Sequence, residues 1–305
     1  LYTWPFESGV FMKLSYVLIV GLLVHPSILL ALGIHTGLDR RSKPSHSCKS
    51  SAVRSGSGDP QSLPSELMLR AEKNRNILEI GPGTGNLTEG ILKKNPKKVL
   101  VIEKDNNLTS LLKEKFKNKV EVINKDILKI DENLLSDQTL TVFGNLPYNI
   151  STEILCKWIL NIKEKIWFDY LILMFQKEVA DRIISDFNTK SYGRLTILAN
   201  WRLNIKKICD VSPVSFQPKP KIYSTVLFFE PKKEFFSLKN SKNLEKITRT
   251  FFMHRRKMIK KPFNQLFSGN NEILSKLNIN LNLRPQNLNF DTYYKLTDEY
   301  EKLRS

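Results

Sequence analysis

Residues 67–230 alternate strand-like and helix-like signals, which predicts an α/β fold with a doubly wound sheet. Three observations carry that reading. Four short apolar runs, at 76–80, 99–102, 120–124 and 142–145, are each bounded by turn residues. Gly81, Glu103, Asp126 and Asn145 stand at or just past their ends, where open α/β sheets bind ligands. Beyond Glu230-Pro231-Lys232-Lys233 the strand signals stop and helical periodicity alone remains, so a small all-α region closes the chain. The expected division is an atypical N-terminal segment over 1–66, an α/β domain over 67–232 and a helical domain over 233–305.

Asn76–Ile80 reads as a buried parallel strand leading into Gly81-Pro82-Gly83-Thr84-Gly85, with a helix over Glu89–Lys94. Val99–Ile102 is the second strand, followed by a helix over Asn107–Lys117. Val120–Asn124 is the third, and the fourth ends at Asn145. A helix over Thr152–Leu160 follows, with Ser151 or Thr152 placed to cap it. Tyr170–Met174 is a strand and Lys177–Ile184 a helix; segments 194–200 and 205–211 continue the alternation, and β-branched and aromatic Thr225–Phe229 closes it. Helices are expected over Leu244–Met258, Glu272–Leu277 and Thr292–Leu303, with Pro262 and Pro285 as punctuation.

The chemistry is concentrated at the strand ends. Glycine lets backbone approach a ligand closely and adopt angles closed to other residues, so Gly81 and Gly83 are candidate cofactor contacts. A dinucleotide fingerprint needs a third glycine where Asn86 stands, which disfavours a nicotinamide cofactor. Glu103 lies about twenty residues after Gly81, a spacing at which an acid holds ribose hydroxyls. Asp126 is placed to accept from the amino group of a bound adenine. Asn145-Leu146-Pro147-Tyr148 suits methyl transfer to an exocyclic amine on a base. That amine is a poor nucleophile because its lone pair is delocalised into the ring. The Asn145 side chain and the Leu146 carbonyl would accept both amino hydrogens, Pro147 would stiffen the turn, and Tyr148 would stack on the extruded base.

This series resembles the ribosomal-RNA adenine N6,N6-dimethyltransferase family. EIGPGTGNLT, VIEKD, NKDIL and NLPYNIS are similar to its cofactor and catalytic motifs, in order. Met174–Ile183, Ser215–Ser224 (SFQPKPKIYS), Phe252–Lys257 (FMHRRK) and Leu283–Leu288 (LRPQNL) continue the likeness over residues 74–304, with Gln286 where the family usually has Glu. The resemblance implies a Rossmann-like methyltransferase sheet using S-adenosyl-L-methionine, with Gly81, Gly83, Glu103, Asp126 and Asn145 around the cofactor. It implies that Phe216 covers the second face of the target base and that Arg255 and Arg256 hold RNA phosphates. The implied substrate is a pair of adjacent adenosines near the 3′ end of small-subunit rRNA, in a pre-30S-like particle. A non-enzymatic alternative is a weak or inactive relative acting as a ribosome-assembly or mitochondrial transcription factor; such a binder would be free to lose Glu103, Asp126 or the NLPY turn.

The first seventy residues depart from that pattern. The family's F-G-Q-N-F-L-like segment, which helps bind cofactor and shape the base site, has no equivalent before Asn76, so the chain is expected to bind cofactor weakly and methylate slowly. Lys13 and the chargeless run over 14–38 resemble a secretory signal or anchor, interrupted at His25-Pro26-Ser27. A Ser-, Gly- and Pro-rich stretch over 39–64 reads as linker. A gene-model or fusion artefact, an organelle-targeting sequence and a membrane segment are the competing origins. The compartment follows from them: cytoplasm for a bacterial protein, mitochondrion or plastid for a targeted one.

Composition points to a polyanionic partner. The 305-residue chain carries a formal net charge of +18, and Lys and Arg neutralise phosphates and release counterions. Sixteen Lys or Arg face four acids between Arg202 and Lys261, interleaved with Tyr and Phe. Cys48, Cys156 and Cys209 lack metal-ligand spacing, and their odd number argues against a disulfide framework. No metal and no obligate protein partner is expected, and the chain is expected to act as a monomer.

Overall fold

The computed structural model describes residues 74–162, 166–216 and 220–304. The expectations for the first seventy residues, and for Gln217-Pro218-Lys219, lie outside the described residues. Seven strands form one sheet: β1 (Asn76–Ile80), β2 (Lys98–Glu103), β3 (Glu121–Asn124), β4 (Leu140–Asn145), β5 (Phe168–Gln176), β6 (Leu203–Val211) and β7 (Ser224–Pro231). Their order is β3-β2-β1-β4-β5-β7-β6. The first five run parallel, and β7 is antiparallel to both β5 and β6. The chain winds outward from β1 in one direction and then returns to β4 on its other side. The crevice at such a reversal, at the carboxyl ends of β1 and β4, is where this class of sheet takes its ligand.

The side chains alternate between two buried faces, as strand geometry requires. Ile77, Val99, Val101 and Phe143 point one way, meeting Leu87 and Ile91 of α1 (Asn86–Leu92) and Leu112 and Phe116 of α2 (Asn106–Phe116). Leu78, Ile80, Leu100, Val142, Leu171 and Leu173 point the other way. There they meet Ile154, Leu155 and Trp158 of α3 (Ser151–Leu160), Ala180 and Ile183 of α4 (Lys177–Ile183) and Ile197 and Leu198 of α5 (Arg194–Arg202). Each such buried aliphatic or aromatic side chain contributes about 1.5–3 kcal/mol.

The C-terminal helices are α6 (Ser241–Phe252), α7 (Lys260–Phe267), α8 (Asn271–Lys276) and α9 (Phe290–Lys302). Their apolar residues Leu244, Ile247, Phe251, Phe263, Tyr293 and Leu296 belong to the same core cluster as that second face. Glu301 near the end of α9 accepts from the backbone of Lys239 and Asn240 and from Asn243 Nδ2, tying α9 to the start of α6.

Three local expectations are corrected. The helix expected to reach Met258 ends at Phe252, and residues 253–256 form a turn. Phe251 is its last fully buried residue, and His254-Arg255-Arg256-Lys257 offers no apolar group to hold another turn on the core. Pro262 does not interrupt the chain: it is the third residue of α7, where its missing N–H would have had no partner within the helix, and Phe263, Leu266 and Phe267 supply the buried face. Neither Ser151 nor Thr152 caps α3. The helix starts at Ser151, whose hydroxyl turns back to the Tyr148 carbonyl at 3.2 Å, while the Pro147 carbonyl receives the Ile150 and Ser151 amides.

Candidate active site at the strand ends

The glycine turn after β1 is left-handed at three positions, with φ of +66° at Gly81, +57° at Gly83 and +78° at Gly85. Gly85 is demanded twice over, because a Cβ there would lie 2.4 Å from the Phe116 ring. At Gly81 the left-handed φ alone favours glycine, and a Cβ there would meet the Asn145 carbonyl oxygen at an ordinary contact distance of 3.8 Å. The turn after β1 and the turn after β4 therefore touch. Lys115 Nζ steadies the glycine turn from outside, donating to the Thr84 carbonyl at 2.8 Å and pairing with Glu89 at 2.7 Å.

Glu103 closes β2 in a nearly buried position. Its Oε1 accepts from the amides of Lys104 (2.8 Å) and Asp105 (3.0 Å), and its Oε2 from Gly83 (3.3 Å). An ionised carboxylate has about four acceptor sites, so the remaining capacity lies on Oε2, beside the glycine turn. Asn124 at the end of β3 locks this corner, its Nδ2 donating to the carbonyls of Glu103 and Lys104 and to Thr109 Oγ1. Asp126 follows β3, with Oδ1 accepting from the Leu128 amide and Oδ2 paired with Lys104 at 2.9 Å. The Lys104 hydrogen bond, then the Leu128 amide, holds this carboxyl below its usual range, so at neutral pH it is an acceptor only.

The β4 turn is rigid. Leu146 is fully buried, Pro147 is exposed with its carbonyl engaged by α3, and Tyr148 is half-buried. Its hydroxyl lies 2.7 Å from Ser224 Oγ at the start of β7. Phe216 is buried with Met174, Val211 and Val226 against the same end of the sheet. Asn145, paired with Met174 of β5, thus has Gly81 on one side and the Tyr148–Phe216 region on the other.

The two arginines of the C-terminal motif part company. Arg255 turns inward, its Nη2 donating to the carbonyls of Lys190 (2.6 Å) and Tyr192 (3.0 Å) and to Gln286 Oε1 (3.4 Å). Arg256 is exposed. Arg255 therefore binds the loop between α4 and α5 to the turn before α9, and Asn287 Nδ2 to Asn188 Oδ1 (2.6 Å) bridges the same two segments.

Residues 64–302 match the family of ribosomal RNA adenine dimethylases. The chain belongs to that family. It is 64% identical over 231 residues to ribosomal RNA small subunit methyltransferase A of Pelagibacter ubique (strain HTCC1062), covering 76% of this chain and 88% of that one. A protein of the same name from Ehrlichia chaffeensis (strain ATCC CRL-10679 / Arkansas) is 41% identical over 226 residues, covering 73% of this chain and 85% of its own. Among solved structures, a dimethyladenosine transferase from Plasmodium falciparum superposes with a TM-score of 0.66 at 28% identity, over 80% of this chain and 96% of that one. The 23S rRNA methyltransferase ErmE shares the fold, with a TM-score of 0.56 at 20% identity over 81% of this chain and 99% of its own. The protein is a methyltransferase.

In this adenine dimethylase, sequence reasoning passed over three residues beside the strand ends. Glu79, buried on β1 ahead of the glycines, accepts from Thr88 Oγ1 at 2.6 Å. Burial raises its pKa to about 7, with the nearby Glu103 charge adding to the shift and the Thr88 bond opposing it. An acid in an otherwise apolar strand run was the available signal. Asn124 and Ser224 carried none, since each acts through a contact with residues distant in sequence. Among the described residues no cluster of His, Cys, Asp and Glu is arranged to hold a metal ion, and no helix is long and apolar enough to cross a membrane.

Proposed function

We propose that the chain transfers methyl groups from S-adenosylmethionine to N6 of adenosines in small-subunit rRNA. Two transfers to each of two adjacent adenosines near the 3′ end would be coupled to maturation of the particle. The observation that carries this reading is the adjacency of the glycine turn and Asn145, which follow the paired residues Ile80 and Gly144; it supports a cofactor loop beside an amine-holding turn.

The residues fit the cofactor. Gly81 and Gly83 leave room beside the backbone, Oε2 of Glu103 keeps acceptor capacity for a ribose hydroxyl, and Asp126 remains ionised to accept from adenine. When bound, S-adenosylmethionine would supply a methyl group already activated by its sulfonium, so the protein's task is orientation and electrostatic matching. Asn145 Oδ1 and the Leu146 carbonyl accept the two amine hydrogens and direct the nitrogen lone pair toward the methyl group. Held this way, the amine would be oriented as the nucleophile for the methyl group that the cofactor would supply, and the methylated nitrogen, now acidic, would lose its proton to water. Tyr148 stacks on one face of the extruded base. Phe216 is assigned the other, which requires its ring to leave its contacts with Met174, Val211 and Val226. Phosphate contact is assigned chiefly to exposed Arg256, and to Arg255 through the guanidinium edge that its inward bonds leave over. The curated relatives are bacterial, and the reading places the enzyme in the cytoplasm as a monomer acting on rRNA or a pre-30S-like particle.

The test is mass spectrometry of unmethylated small-subunit RNA, supplied as its immature particle, after incubation with purified protein and S-adenosylmethionine. Dimethyladenosine at two adjacent positions is expected. Particle binding with no methyl transfer would favour the assembly-factor alternative.

A further inference from the structure

Tyr148 belongs to the turn after β4, yet its hydroxyl reaches past the end of β5 to meet Ser224 Oγ on β7 at 2.7 Å. Ser224 is fully buried, and its backbone stands in register with Gln176 of β5 and Val211 of β6. Ladders on both sides thus fix the backbone that carries its hydroxyl. The other end of Tyr148 is fixed as well, because Pro147 restricts the turn and its carbonyl takes two amides at the start of α3. A ring held at both ends loses the freedom to swing about χ1, and a group ordered before substrate arrives pays less to act on it.

We propose that Ser224 is a positioning residue for methyl transfer, acting through Tyr148 to hold the aromatic ring where the extruded adenine must stack. The proposal rests on the adenosine-methylation reading above. It concerns a residue that touches neither base nor cofactor and lies on a strand far from the NLPY turn in sequence. If the hydroxyl pair served only to satisfy a buried Ser, its loss would change melting temperature and leave turnover alone.

The test compares the full-length wild type with Ser224→Ala, Tyr148→Phe and the double variant. Single-turnover methyl transfer to immature small-subunit particles is measured well below every variant's melting temperature, and S-adenosylmethionine affinity is measured by calorimetry. Each single variant keeps the ring and loses the same bond, so each should slow transfer about fivefold, roughly the worth of one neutral hydrogen bond. Cofactor affinity should be unchanged. The double variant should be no slower than the slower single, since one interaction can be removed only once. Wild-type rates in both single variants would overturn the proposal, and so would losses that multiply in the double. Should Ser224→Ala fail to fold, Tyr148→Phe decides from the half-exposed side: an unchanged rate overturns the proposal, and a fivefold loss at unchanged cofactor affinity supports it. A wild type that methylates no adenosine would instead remove the reading on which the proposal stands.

Discussion

The turn after β4 and the turn after α6 are both short, polar motifs visible in the sequence, and the fold treats them differently. The first lies on a strand end in the middle of the sheet, so its neighbours are fixed by topology: Gly81 on one side, β5 on the other. The second lies where a helix has stopped, on backbone with no ladder to set its direction. There two adjacent arginines take opposite courses, one into the loop at 190–192 and one to solvent. A motif on regular backbone at a switch point reveals its geometry in advance. On irregular backbone, the same density of charge leaves open which side chain binds the protein and which binds a partner.

The sharpest way to break the comparison is Asn145→Ala. If the strand-end turn acts on the amine mainly in the transition state, this variant should lose methyl transfer by about a hundredfold or more. Its calorimetric affinity for S-adenosylmethionine should stay near the wild-type value. Near-normal turnover would remove the NLPY turn from the chemistry.

Glu103→Ala comes next. It deletes the carboxylate proposed to hold ribose and also releases three backbone amides, those of Gly83, Lys104 and Asp105. Cofactor affinity should fall about tenfold or more, on the order of 1.5–3 kcal/mol. Unchanged affinity in calorimetry would leave Glu103 as a loop anchor alone.

These two residues illustrate how much was legible beforehand. Strand ends could be read because a short apolar run broken by Gly, Glu, Asp or Asn is a local signal, and the expected limits of β1 match the observed ones. The β3-β2-β1-β4-β5 half of the fold follows from the alternation of such runs with helices. What escaped was non-local. Nothing near Tyr148 indicates Ser224, seventy-six residues away, and nothing near Arg255 indicates Lys190 or Gln286. The helix over Lys260–Phe267 was missed for a different reason: Pro262 was treated as a stop, although the first turn of a helix tolerates proline.

The arginine pair should separate under single substitution. Arg255→Ala leaves the Lys190 and Tyr192 carbonyls without that donor and should lower stability by about 1–3 kcal/mol in denaturant unfolding. Arg256→Ala should leave stability within about 0.5 kcal/mol while weakening RNA binding and reducing the salt slope by about one unit. Equal effects of both substitutions on RNA affinity, with no stability difference, would show that Arg255 turns outward when RNA is present.

The smallest expected effect tests the inward turn directly. Gln286 Oε1 is 3.4 Å from Arg255 Nη2. Gln286→Glu would replace a neutral acceptor with a charged one in a half-buried setting, converting a weak hydrogen bond into an ion pair. Such pairs contribute about 0.2–1 kcal/mol when partly exposed, so the melting temperature should rise by a few degrees at most. The gain should shrink as salt is raised from about 0.05 M to 0.5 M, as screening requires. It should also vanish in the Arg255→Ala background, because the new carboxylate would then have lost the partner that made it stabilising. A gain that survives Arg255→Ala would place the benefit elsewhere, and the joint between the α4–α5 loop and the turn before α9 would then depend on Asn287 and Asn188 instead.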